Sequence, residues 1–226
     1  MKILSVDTSS SICSVAILEN DTILKELYID DALTHSTKLM PLIDEALNSI
    51  NITLKDIDLF ACGIGPGSFT GIRIGVSTIK AFADVTNKPV VGVNSLEALT
   101  FAVKDDGFIC SLIDAKHDNL YFCLFEHTNS EYIKSSDFLF ENINNIINFV
   151  KNKNNKIIFV GNGSILFKNM IESELGNKAY FLDTTTFEKH SATAIGKIAF
   201  NRFNKGLFGN SNSLIPLYIK KSNAEM

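Results

Sequence analysis

Ala61-Cys-Gly-Ile-Gly-Pro-Gly-Ser-Phe-Thr-Gly-Ile-Arg73 decides how the rest of the chain is read. An apolar run over 59–64 has the composition of a strand, breaks at a Gly-Pro-Gly bend, and passes into a helix over 68–85. Strand, glycine bend and helix in that order turn backbone N–H groups toward an anion or let a neighbouring segment come close. Working outward, strands and turns alternate, with strands over 3–6, 12–18 and 22–29 and turns at 7–11 and at Asn20-Asp21. The period then changes to a helical one over 35–50, where Leu39, Ile43, Ala46, Leu47 and Ile50 share a face and Pro41 sits in the first turn or kinks it. A strand over 90–93 and a helix over 95–103 complete the order βββαβαβα.

The second half repeats this order. Strands are expected over 108–113, 120–126 and 132–140, followed by a helix over 143–151, a strand over 157–160, a helix over 165–175, a strand over 179–182 and a helix over 192–203. Two echoes are specific. Ile113-Asp114 heads a hairpin as Val6-Asp7 does, and Gly161-Asn-Gly163 follows a strand as Gly63-Ile-Gly65 does. A period of roughly 100 residues is too long for a solenoid and implies two duplicated lobes. The expected class is α/β, with an N-terminal lobe over 1–104 and a smaller C-terminal lobe over 105–226 whose last helix or tail packs back on the first. Duplicated βββαβαβα lobes are the pattern of the fold shared by actin, sugar kinases and heat-shock chaperone ATPases.

Composition narrows the function classes. The 226 residues are 46% hydrophobic and 20% charged, enough for a sizeable core, and no apolar run approaches the ~18 residues of a membrane span. The short start at Met1–Asp7 has no small-residue cleavage site, so a cytosolic protein is expected. A net charge of −4 argues against a chain that grips a phosphate backbone by itself. Cys13, Cys62, Cys110 and Cys123 each lie in an apolar run without a two-residue spacing, which favours buried reduced thiols over zinc ligands.

The motifs Asp7-Thr-Ser-Ser, His35-Ser, Leu39-Met-Pro41-Leu-Ile-Asp44, Gly65-Pro-Gly-Ser-Phe-Thr-Gly-Ile-Arg73, Val93-Asn-Ser-Leu-Glu-Ala-Leu99 and Pro216-Leu-Tyr-Ile-Lys-Lys together resemble the TsaB family of tRNA threonylcarbamoyladenosine biosynthesis proteins. The resemblance is dense from residue 1 to about 110, and thinner beyond. It implies a noncatalytic subunit that pairs with the related TsaD and with the ATPase TsaE, in threonylcarbamoyl transfer to adenosine 37 of tRNA. On that reading tRNA is met indirectly through the complex, ATP and metal belong to the partner subunits, and homodimers compete with heterodimers. In TsaD-like proteins the stretch matching 93–99 carries a His-x-x-x-His metal pair. Here Ser95 and Leu99 hold those places, and the four histidines are His35, His117, His127 and His190. No metal site and no transferase chemistry are expected of this chain.

The glycine-rich helix has two apolar faces, one with Ile72, Val76, Ile79 and Ala83, the other with Gly71, Ile74, Gly75, Thr78 and Phe82. Gly67, Gly71 and Gly75 form a stripe without side chains, and a helix apolar on two sides is buried on two sides. The expected partner surface is therefore Leu39, Met40, Ile43 and Leu47 with Gly67, Gly71, Ile74, Gly75, Thr78 and Phe82. The competing reading is an anion or nucleotide contact built from Asp7, Ser68, Thr70 and Arg73. It lacks a Walker lysine, and Asp7 is followed by Thr8 and Ser9 rather than by the glycine that admits phosphate in the ATPases of the fold, so an aspartate capping its own turn is favoured. His35 and Glu97 read as helix-start residues, and Lys220 and Lys221 as solvated charge. The rival functions are an autonomous ATPase or small-molecule kinase and a standalone homodimeric binding module.

Overall fold

The computed structural model describes residues 1–31, 35–129, 131–153, 155–182 and 191–219. Three strands open the chain: β1 (Lys2–Asp7), β2 (Ile12–Glu19) and β3 (Thr22–Asp30). They pair antiparallel in sequence order, as short apolar runs joined by tight turns do. Helix α1 (His35–Ser49) carries Pro41 inside it, and β4 (Leu59–Gly65) then lies parallel to β1. Helix α2 (Phe69–Thr86) leads to β5 (Val90–Asn94), parallel to β4, and to α3 (Ser95–Thr100). The resulting five-stranded sheet has the order β3-β2-β1-β4-β5.

The second half builds β6 (Gly107–Asp114), β7 (Asn119–Thr128), β8 (Glu131–Lys134), β9 (Leu139–Asn142), α4 (Ile143–Lys151), β10 (Ile157–Val160), α5 (Asn162–Leu166), α6 (Lys168–Leu175) and β11 (Ala179–Phe181). Its sheet runs β11-β10-β6-β7-β8, with β9 also on β7. The stretch β11-β10-β6-β7 has the pairing of β5-β4-β1-β2, parallel where crossovers intervene and antiparallel at the hairpin. Two expected elements are corrected. The strand over 132–140 is two strands, because Ser135 and Ser136 both donate their amides to the Leu124 carbonyl, at 2.8 and 3.1 Å, and interrupt the ladder. The helix over 165–175 begins earlier and breaks at Phe167, whose ψ of 17° separates α5 from α6.

The described residues form two units, one of 1–98 with 191–217 and one of 99–182 with 218–219, so the division falls at 98/99 and the chain later returns to the first unit. In that unit α1 and α2 cover one face of the sheet, where Leu4, Val6, Val15 and Ile17 meet Leu39, Ile43, Ile72, Val76 and Ile79. The other face is covered by α7 (Ser191–Asn204). Ser5 Oγ donates to the Ala192 carbonyl at 2.7 Å, and Gly196 lies so close to the sheet that a Cβ there would come within 2.4 Å of Leu18 Cδ1. A strand buried on both faces carries no charge between its ends, and apart from Ser5 and Ser14 the interiors of β1 and β2 are apolar. The second unit packs Leu112, Phe122, Leu124 and Phe159 against Ile143, Ile147, Val150 and Ile171. Among the described residues, no helix is long and apolar enough to cross a membrane.

Candidate functional site

Three parallel strands, β1, β4 and β5, end side by side, and the chemistry-bearing motifs of the first unit lie at those ends. Asp7 closes β1. It is 4% exposed, and its Oδ1 accepts the Ser9 amide at 2.9 Å, the hydrogen bond of an aspartate capping its own turn. Burial pushes the Asp7 carboxyl above its ordinary value, against the pull of hydrogen bonds from Ser9, Ser191 and the Thr8 backbone.

The turn after Asp7 is gripped from several sides. The Ser68 amide donates to the Ser9 carbonyl at 2.7 Å, Thr8 Oγ1 donates to the Gly71 carbonyl at 2.7 Å, and Ser95 Oγ donates to Ser9 Oγ at 3.1 Å. His35 Nε2 bonds the Ser10 carbonyl at 2.9 Å and ties the start of α1 to the same turn. Ser68 is also the N-cap of α2, its Oγ accepting from the Gly71 amide. The turn between β1 and β2 is thereby clamped by α1, α2 and α3.

The glycine stripe is the groove into which this turn fits. A Cβ at Gly67 would lie 2.3 Å from the Ser9 carbonyl oxygen, one at Gly71 2.0 Å from that of Thr8, and one at Gly75 2.6 Å from Thr8 Oγ1. This corrects the expectation that Gly67, Gly71 and Gly75 form a bare surface for a second protein, because their bare side is filled by the chain's own hairpin. Leu39, Ile43 and Leu47 are likewise turned inward, at 1%, 2% and 6% exposure in the core beneath α1. Of the other expected interface residues, Met40 is 50% exposed, while Ile74, Thr78 and Phe82 are half-buried. Sequence reasoning missed Phe69, 42% exposed with the Arg73 guanidinium 3.8 Å above its ring. The signal was present in the four-residue spacing of an aromatic and a cation at the start of a helix.

The four residues of the anion reading have different settings, with Asp7 and Ser68 meeting through Ser9. Asp7 is buried under the clamped turn, Ser68 is engaged as a cap, Thr70 is exposed, and Arg73 stacks on Phe69. The Ser68 amide and the Gly71 amide already have acceptors, and the Gly67 backbone rests on Ser9. At the start of α3, Ser95 holds Ser9, and Leu99 is 7% exposed. Glu97 pairs with Arg202 of α7 at 2.6 Å. Burial raises its carboxyl above the usual range, and Arg202 opposes the shift. Among the described residues no three His, Cys, Asp or Glu side chains are grouped to hold a metal ion. Lys220 and Lys221 lie outside the described residues.

A family model described as TsaD: tRNA N6-adenosine threonylcarbamoyltransferase matches residues 30–226. The tRNA threonylcarbamoyladenosine biosynthesis protein TsaB of Bacillus subtilis is 29% identical over 229 residues, covering 100% of this chain and 96% of that protein. TsaB of Buchnera aphidicola subsp. Schizaphis graminum is 30% identical over 172 residues, covering 71% of this chain and 78% of that protein. The chain belongs to the TsaB family. In fold, it is similar to YeaZ from Pseudomonas aeruginosa, with a TM-score of 0.77 at 22% identity, covering 96% of this chain and 99% of that one. A ROK hexokinase from Thermus thermophilus aligns with a TM-score of 0.55 at 8% identity, over 91% of this chain and 100% of that one. This TsaB-family chain therefore has the two-lobed fold of the actin, sugar kinase and heat-shock chaperone group. Within it, the hairpin after β1 is closed by a glycine-striped helix.

Proposed function

We propose that this TsaB-family chain is a noncatalytic subunit in the formation of threonylcarbamoyladenosine on tRNA, acting by binding a TsaD-type transferase. The observation that carries the reading is the clamped turn. In the ATPases of this fold the first hairpin must admit phosphate, and here Ser68, Thr8 and the stripe of Gly67, Gly71 and Gly75 lock it against α2. A closed hairpin supports a role in assembly rather than in phosphoryl chemistry.

The clamp also makes α1 and α2 a rigid pair, a sound platform for a partner because little order has to be gained on binding. The docking face on this reading is the solvent side of those helices: Met40 and the Phe69–Arg73 stack, flanked by Thr78, Ile74 and Phe82. Homodimers and heterodimers would compete for it, TsaE would join the assembled pair, and tRNA would be held by the complex, all in the cytoplasm. ATP and metal would be bound on the partner subunits.

The test is threonylcarbamoyladenosine formation on tRNA by a TsaD-type transferase and TsaE, with and without this chain, alongside light scattering of the mixtures. Formation that depends on the chain, together with a one-to-one complex weakened by Met40→Glu, is the expected result. ATP turnover by the isolated chain, lost in Asp7→Ala, would instead favour the ATPase reading.

A further inference from the structure

Val90-Val-Gly-Val-Asn94 is the outer strand β5 of the first sheet, apolar as far as Val93 and uncharged throughout. An outer strand of that composition is a template for pairing with another chain. The opposite edge, β3, carries Lys25, Glu26 and Asp30, charges that discourage such pairing. β5 has none, and its edge is occupied by other means.

Phe60 donates its amide to the Pro89 carbonyl at 3.1 Å, so Val91 and Val93 direct their backbone groups to β4 while Val90 and Gly92 direct theirs outward. Both outward groups of Val90 are taken by Gly209, amide to carbonyl in each direction at 2.9 Å. The Gly92 carbonyl accepts Arg202 Nη1 at 2.7 Å, and Arg202 is itself held by Glu97. The segment that carries Gly209 leaves α7 through Gly206 and is tied down by the Ser211 hydroxyl on the Asp84 carboxylate. Leu214 in the core, at 2% exposure, and the Leu217 amide on the Ile64 carbonyl at 2.8 Å secure its far end. It touches the β5 ladder at one residue and leaves a groove of about 630 Å³, in which Leu207 and Ile215 are exposed.

We propose that residues 205–217, with Arg202, act as an edge guard that keeps β5 from pairing with β5 of a second copy of this chain. The strand is self-complementary. Antiparallel pairing about a two-fold axis at Gly92 sets Val91 of each copy opposite Val93 of the other, apolar against apolar, and closes after two copies. The guard removes the outward hydrogen-bonding groups of Val90 and the Gly92 carbonyl that such pairing requires.

Gly209→Pro deletes the amide that bonds Val90 and demands space where a Cβ would lie 1.9 Å from Ser213 Oγ, so it releases the guard. Light scattering at rising concentration should show the mean mass of this variant growing by about twofold over that of the wild-type chain at equal concentration. Exchange of the Val90 amide should be about tenfold faster in dilute solution and slow again as the copies associate. A folded Gly209→Pro chain with fast Val90 exchange and wild-type mass at every concentration would overturn the proposal. If that variant does not fold, Ser211→Ala, which loosens only the tether to Asp84, decides: a rise in mass supports the guard and an unchanged mass refutes it.

Discussion

Gly71 of α2 lies against Thr8 of the β1–β2 turn so closely that a Cβ on Gly71 would stand 2.0 Å from the Thr8 carbonyl oxygen, while Thr8 Oγ1 donates to the Gly71 carbonyl at 2.7 Å. The two contacts fix the first helix of the βαβ unit onto the first hairpin of the sheet. They explain why a helix with an apolar glycine stripe needs no second protein to cover it.

Gly71→Ala should therefore destabilise the isolated chain by about 1–3 kcal/mol, the range for overpacking a close contact that backbone atoms cannot leave. Urea unfolding measures it. A midpoint equal to wild type would show that α2 can draw away from Thr8 at no cost. Gly75→Leu acts the same way, on Thr8 Oγ1 and Cys62 Sγ, and so probes folding before it probes any interface.

Asp7 gives a signed pH dependence. Its folded-state pKa is raised by burial above the ordinary 3.8, so the folded chain holds this proton more tightly than the unfolded one. The group contributes most stability at low pH, loses it as pH rises from the unfolded value through the raised folded one, and stays at the lower level beyond. Asp7→Asn keeps an acceptor for the Ser9 amide and removes the buried charge. The variant should be more stable than wild type at pH 7, with the gap narrowing toward pH 4. Denaturant titrations at the two pH values check this, and a gap that widened on acidification would contradict it.

The β6–β7 turn carries three successive non-glycine residues in the left-handed region, Lys116, His117 and Asp118, at φ of 67°, 54° and 58°. The Asn119 side chain holds the His117 carbonyl at 2.8 Å, and the Ile143 amide holds that of Asp118 at 3.2 Å. An L-residue costs about 1–2 kcal/mol there, and glycine gives back about half of the relief through chain entropy. His117→Gly should raise stability by roughly 0.5–1 kcal/mol. A lower thermal midpoint in this variant would mean that the exposed His117 ring contributes more than its backbone costs.

Neighbouring residues of α1 should separate into two behaviours. Ile43→Ala, in the core at 2% exposure, should cost about 2–5 kcal/mol in unfolding experiments. Met40→Glu, at 50% exposure, should alter stability by no more than about 0.5 kcal/mol while weakening capture of a TsaD-type partner in light scattering. Equal partner affinity for Met40→Glu and wild type would remove this face from the proposed interface.

The short apolar runs of β1 and β2 with turn residues between them, the helical spacing of Leu39, Ile43 and Leu47, and the Gly-Pro-Gly bend were legible because each is a local pattern that reports backbone geometry. The split of 132–140 into β8 and β9 was marked only by the polar run Lys134-Ser-Ser-Asp137, and the ladder ends where Leu124 captures two serine amides. Leu39 and Met40 show the limit at the site. Both are apolar and adjacent, and their exposures of 1% and 50% depend on how α1 is rotated on the sheet.

By itself the sequence determined the order of strands and helices in the first half, its partial echo in the second, the absence of histidines at Ser95 and Leu99, and the need for something to lie against Gly67, Gly71 and Gly75. Tertiary structure alone decided what that something is. A missing Cβ specifies that a neighbour comes close without naming it, and the neighbour, the turn at Thr8 and Ser9, is about 60 residues away along the chain and meets α2 only because β1 and β4 pair in parallel.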